Sequence, residues 1–131
     1  MYAVGYAYRD RIATTVPHIW VVFAAPNTEP DERAIVSVTS DGPHISDRSC
    51  AFGSGDHQSI KHLSYALYRK ARIITVNDLT AWLANSYASA TTPMAPDVID
   101  RIRSGALQSP FTPRDVQAAV RSCKWVIPKT T

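Results

Sequence analysis

HIWVVFAAPNTEPDERAIVSVTS, residues 18–40, decides the fold of this chain. Its opening, His18 to Ala24, is apolar on both alternating faces, His18/Trp20/Val22/Ala24 and Ile19/Val21/Phe23. That is the pattern of a strand covered on both sides. Residues 33–39 alternate Ala34, Val36 and Val38 against Ile35, Ser37 and Thr39, which predicts one buried and one mixed face. The intervening APNTEPDE carries two prolines, an asparagine and three acids. It can continue neither strand, so the segment reads as an antiparallel hairpin with an acidic tip.

Working outward, SDGPH at 40–44 marks a turn, a short strand is expected over 48–52, and Gly53-Ser54-Gly55-Asp56 marks another turn. HLSYALY (62–68) and ARIITV (71–76) are rich in aromatic and β-branched residues and read as further strands. Short strands punctuated in this way predict a small antiparallel barrel over residues 1–76. Helical periodicity then takes over across 77–127. Asn77 is the expected cap of a helix over 78–85 whose Leu79, Trp82 and Leu83 share a face. The small-residue and proline run that ends at Pro96 reads as a linker. A second helix is expected over Asp97 to Leu107, with Pro96 in a tolerated first-turn position. A third begins at Thr112-Pro113-Arg114-Asp115, with the threonine hydroxyl as cap. The expected fold class is α+β, with the helices packed on the barrel in one domain of 131 residues.

The apolar fraction of 45% and charged fraction of 19% are those of an ordinary globular chain, and no run approaches the ~18 apolar residues of a membrane span. The N-terminus lacks a basic segment ahead of a long apolar one, so the expected location is the cytoplasm, with no membrane association. In that compartment Cys50 and Cys123 read as reduced, buried thiols. With no CxxC and scattered histidines, neither a metal nor a cofactor is expected. Net charge +3 permits a polyanionic partner without requiring one; RDR (9–11) and YRKAR (68–72) are the basic clusters.

The order strand, acidic hairpin, strand ending in Thr-Ser, short strand, then LSYALYRKARIITVNDL resembles the MazF/PemK (CcdB-like) toxin family over roughly residues 5–83. The resemblance implies an SH3-like barrel, a homodimer, a cognate antitoxin partner and metal-independent cleavage of single-stranded RNA. It also implies a site role for Thr39, which matches the threonine closing the family's second strand. The ribonuclease branch usually carries an Arg-Pro pair where the first hairpin strand begins; here that place is held by Pro17-His18-Ile19.

Metal-free RNA cleavage needs a base for the 2′-hydroxyl, an acid for the leaving oxygen and a cation for the phosphorane charge. Imidazole and ammonium groups supply all three. GDHQSIKH (55–62) gathers such groups behind a glycine turn. It makes His57 and His62 the candidate acid and base, with Lys61 or Arg72 on the phosphate. His18, Ser64 and Tyr68 are candidate substrate contacts, Tyr68 by stacking on an unpaired base. In the alternative, the same residues are a turn, a strand end and plain surface, on a barrel that binds a protein or nucleic acid without turnover. Ser64 and Cys50 lack the setting of a nucleophile. Trp82 and Trp125 read as packing residues.

Overall fold

The computed structural model describes residues 1–11 and 18–123. Pro17, Trp125 and the end of the expected helical region, 124–127, lie outside the described residues. Among the described residues seven strands and three α-helices follow in the order β1 Ala7–Asp10, β2 Ile19–Ala24, β3 Glu32–Ser40, β4 Ala51–Phe52, β5 Ser64–Ala66, β6 Arg72–Thr75, α1 Val76–Ala84, β7 Ala88–Thr91, α2 Pro96–Gln108 and α3 Arg114–Ser122. The fold is mixed α+β with an antiparallel sheet.

The 18–40 hairpin is its centre, β2 pairing β3 from Ile19↔Val38 to Ala24↔Ala34 with a bulge between Val22 and Ala24. On its other edge β3 holds β6 along Glu32–Ile35 and β5 along Val38–Ser40. The run from Ser64 to Thr75 thus follows β3 twice, interrupted by a 3₁₀ turn, Tyr68–Lys70, that takes up three extra residues. This turn is why the expected strand 62–68 is only Ser64–Ala66. Leu67 N–H still bonds the Ser37 carbonyl at 2.9 Å, so the outer edge stays satisfied through the jog.

β2 is covered on both sides, as its double-faced pattern requires. One cluster joins Val21, Phe23, Val36 and Val38 to Ile99, Ile102, Val116 and Val120 of α2 and α3. On the reverse face Tyr8, Val22, Ile35 and Ile74 pack with Leu79, Trp82 and Leu83 of α1.

Four expectations are corrected. The strand path runs β4-β5-β3-β2-β1-β7, and among the described residues no ladder joins β4 to β7, so the sheet is not closed into a barrel. One face is covered by α2 and α3 instead of by further strands. Second, the linker before Pro96 contains β7, paired residue for residue with β1 from Ala7↔Thr91 to Asp10↔Ala88. Third, α1 is capped by Thr75, whose hydroxyl accepts Asp78 N–H while Asp78 accepts Thr75 N–H. This reciprocal box satisfies two otherwise orphaned donors and leaves no cap role for Asn77. Fourth, Pro113 occupies the cap position of α3, and the Thr112 hydroxyl is buried with no hydrogen-bond partner among the described residues. The second helix begins at Pro96, as a first-turn proline allows. Cys50 and Cys123 are buried and unpaired with each other. Among the described residues no helix is long and apolar enough to cross a membrane.

Gly105 marks the closest approach of α2 to the 3₁₀ turn. A Cβ there would lie 2.5 Å from the Tyr68 hydroxyl, 3.0 Å from Cys50 Cβ and 3.2 Å from the Ser49 carbonyl. Tyr68 cannot retreat without losing its 2.6 Å bond to the Ile102 carbonyl. Alanine would gain ~1 kcal/mol of helix propensity but incur ~1–3 kcal/mol of overpacking. Gly105→Ala is therefore expected to lower the midpoint of urea unfolding; a raised midpoint would refute this packing. Conversely, Thr112→Val removes an unpartnered hydroxyl at nearly constant shape and is expected to leave stability unchanged or raise it by up to ~1 kcal/mol. A loss beyond that in the same titration would mean the hydroxyl has a partner.

Candidate functional site

The stretch 53–62 splits into an inward and an outward half. Asp56 anchors it: its carboxylate accepts Gly53 N–H at 2.7 Å and pairs with Arg101 of α2 at 2.6 Å. His57, 6% exposed, follows directly. Its Nδ1 accepts Ser59 N–H at 3.0 Å, so Nε2 carries the proton donated to the Thr92 carbonyl at 2.6 Å. Ile60 enters the core. Ser59, Lys61 and His62 are left facing the other way.

They face a groove of ≈ 500 Å³. Its floor follows from strand register: Arg9↔Ile19, Ile19↔Val38 and Ser40↔Ser64 put these side chains on one face of the sheet. Thr39 and His44 border it together with His18. The His44 ring packs against Gly42, where an added Cβ would lie 2.8 Å from Nδ1. Arg9 reaches across to the Ser59 hydroxyl at 2.5 Å. Among the described residues the groove is thus lined by three imidazoles, one guanidinium, one ammonium and several hydroxyls, with no carboxylate. Among the described residues no three His, Cys, Asp or Glu side chains come together as metal ligands.

No known protein family, curated protein or solved structure matches this chain. The site therefore stands on its own geometry. Of the residues singled out from sequence, His18, Thr39, Lys61, His62 and Ser64 meet in the groove. Three do not. His57 sits behind the groove wall with both ring nitrogens engaged, which leaves none to shuttle a proton. Tyr68, expected to stack on a base, is fully buried because the 3₁₀ turn throws it inward onto Ile102. Burial also pushes its phenol well above the ordinary range. Arg72 lies on the opposite face of the sheet, its register partner Ile35 belonging to the cluster beneath α1.

Ser64 is present but occupied, its hydroxyl donating to the His62 carbonyl at 2.9 Å. That bond fixes the backbone of His62. Burial raises the pKa of the Cys50 thiol, which keeps it protonated and unreactive. His18 is exposed, and its backbone N–H is held by Asp10 at 2.9 Å.

Sequence reasoning missed Arg9, Ser59 and His44. Arg9 was visible in a basic cluster but not as part of a strand, and His44 lay in a turn that was read for its backbone alone. Because His57 is a clamp and His62 a surface group, His57→Ala leaves an N–H and a carbonyl unpaired and is expected to lose about 2–3 kcal/mol. His62→Ala is expected to stay within about 0.5 kcal/mol of the parent. Urea unfolding separates the two, and equal losses would overturn the division.

Proposed function

We propose that this groove binds the phosphate backbone of single-stranded RNA and cleaves it without a metal, as a toxin-type endoribonuclease would. The observation that carries this reading is the lining itself: His18, His44 and His62 beside Arg9 and Lys61, with no carboxylate. A polyanion meets only cationic or neutral groups there, and the imidazoles offer an acid and a base on one surface. His62 and His18 take the proton-transfer roles, Lys61 and Arg9 face the phosphate, and Thr39 orients it by a hydroxyl hydrogen bond. The homodimer, the cognate antitoxin partner and the cytoplasmic setting belong to the same proposal. They rest on the MazF/PemK resemblance.

Binding without turnover is the second reading. It is favoured by the diversion of His57 and of the Ser64 hydroxyl into structural bonds.

The test is incubation of the full chain with single-stranded RNA in excess EDTA. Products ending in a 2′,3′-cyclic phosphate are expected, with His62→Ala or His18→Ala lowering the rate by about 10²-fold or more. Lys61→Ala is expected to weaken binding and to reduce the slope of log affinity against log salt by about 0.7. Salt-sensitive binding with no products would establish the second reading. RNA left intact and unbound would dispose of both.

A further inference from the structure

The other face of the same sheet holds a pocket of ≈ 460 Å³ that the RNA reading does not use. Tyr8↔Trp20 and Ile35↔Arg72 place Tyr8, Trp20 and Arg72 on the α1 side, and Trp82 and Tyr87 complete the wall. The Arg72 guanidinium lies 5.4 Å from the Trp20 ring centre and 5.7 Å from that of Trp82. Both indoles hold the guanidinium by cation–π attraction. Among the described residues Arg72 has neither a salt bridge nor a side-chain hydrogen bond, although it is an exposed cation beside a cavity. Arg11 adds a second positive charge to the lining. Asp10, the one acid there, is turned to protein donors: its two oxygens accept His18 N–H at 2.9 Å and Trp20 Nε1–H at 3.0 Å.

A cationic ligand is disfavoured, because the aromatic faces already hold a guanidinium. A purely apolar one would leave Arg72 unanswered. The lining matches a flat ring that stacks against the exposed Tyr87 ring and carries an anion for the guanidinium, and the volume lies within the small-molecule range. We propose that this pocket is a binding site for a planar, anion-bearing small molecule of the nucleoside monophosphate class, with Arg72 as the anion receptor and Trp20 and Trp82 as its support. Tyr8, whose phenol is kept protonated chiefly by burial, is available as a neutral donor on the floor.

The probe is 5′-AMP, followed through the assigned indole N–H resonances of the full chain. Saturable shifts of the Trp20 and Trp82 signals at or below about 1 mM are expected, with adenosine and inorganic phosphate each binding about ten-fold or more weakly. Arg72→Gln should retain the parent's dispersed spectrum and lose AMP affinity about ten-fold. His62→Ala, in the groove across the sheet, should bind AMP as the parent does, so failure here and failure of the RNA reading are distinguishable. The assignment is overturned by the absence of saturable shifts up to about ten times that concentration. It is also overturned if adenosine matches AMP, if Arg72→Gln binds normally, or if His62→Ala loses binding.

Discussion

The fold depends on a backbone constraint at β3. This nine-residue strand is buried along most of its length, so the donors and acceptors of both edges must be met from within the chain. β2 meets one edge. The other is longer than either β5 or β6 alone, and the chain covers it by laying both against it in succession with a 3₁₀ turn between. That turn drives Tyr68 into α2, and the contact is tight enough that only glycine fits at position 105. Sheet and helices are therefore registered against each other at one point, and the floor of the groove inherits that registration through the Ser40↔Ser64 pair.

The loop after β4 converts this rigid frame into a surface. Its inward groups are each tied to a different element: Asp56 to α2 through Arg101, His57 to the segment after β7 through the Thr92 carbonyl, and Ile60 to the core. Three anchors within five positions leave little freedom to the residues between and after them. Lys61 and His62 are consequently exposed yet placed, the condition a charged group must meet to act on a bound phosphate without large reordering.

The hairpin, α2 and the double-sided burial of β2 were legible in the sequence because each rests on local periodicity. β1 and β7 were not. Ala-Ser-Ala-Thr at 88–91 has little intrinsic preference for extended structure and becomes a strand only by pairing with residues some eighty positions earlier. The cap of α1 was displaced from Asn77 because a reciprocal Thr75–Asp78 box satisfies two donors where a lone asparagine would satisfy one. Of the two histidines that composition singled out in the loop after β4, His62 lines the groove and His57 does not. The burial of His57 depends on where Thr92 falls, and spacing inside GDHQSIKH carries no information about that. The same limit explains Arg72: a one-residue parity in β6 sends it to the far face, and only the register with β3 reveals it.

Asp10 gives the two faces a common hinge pin. One of its oxygens steadies the backbone of the residue that offers an imidazole to the groove, and the other steadies the indole beneath Arg72. The backbone of His18 and the indole of Trp20 are thus both located by a single carboxylate.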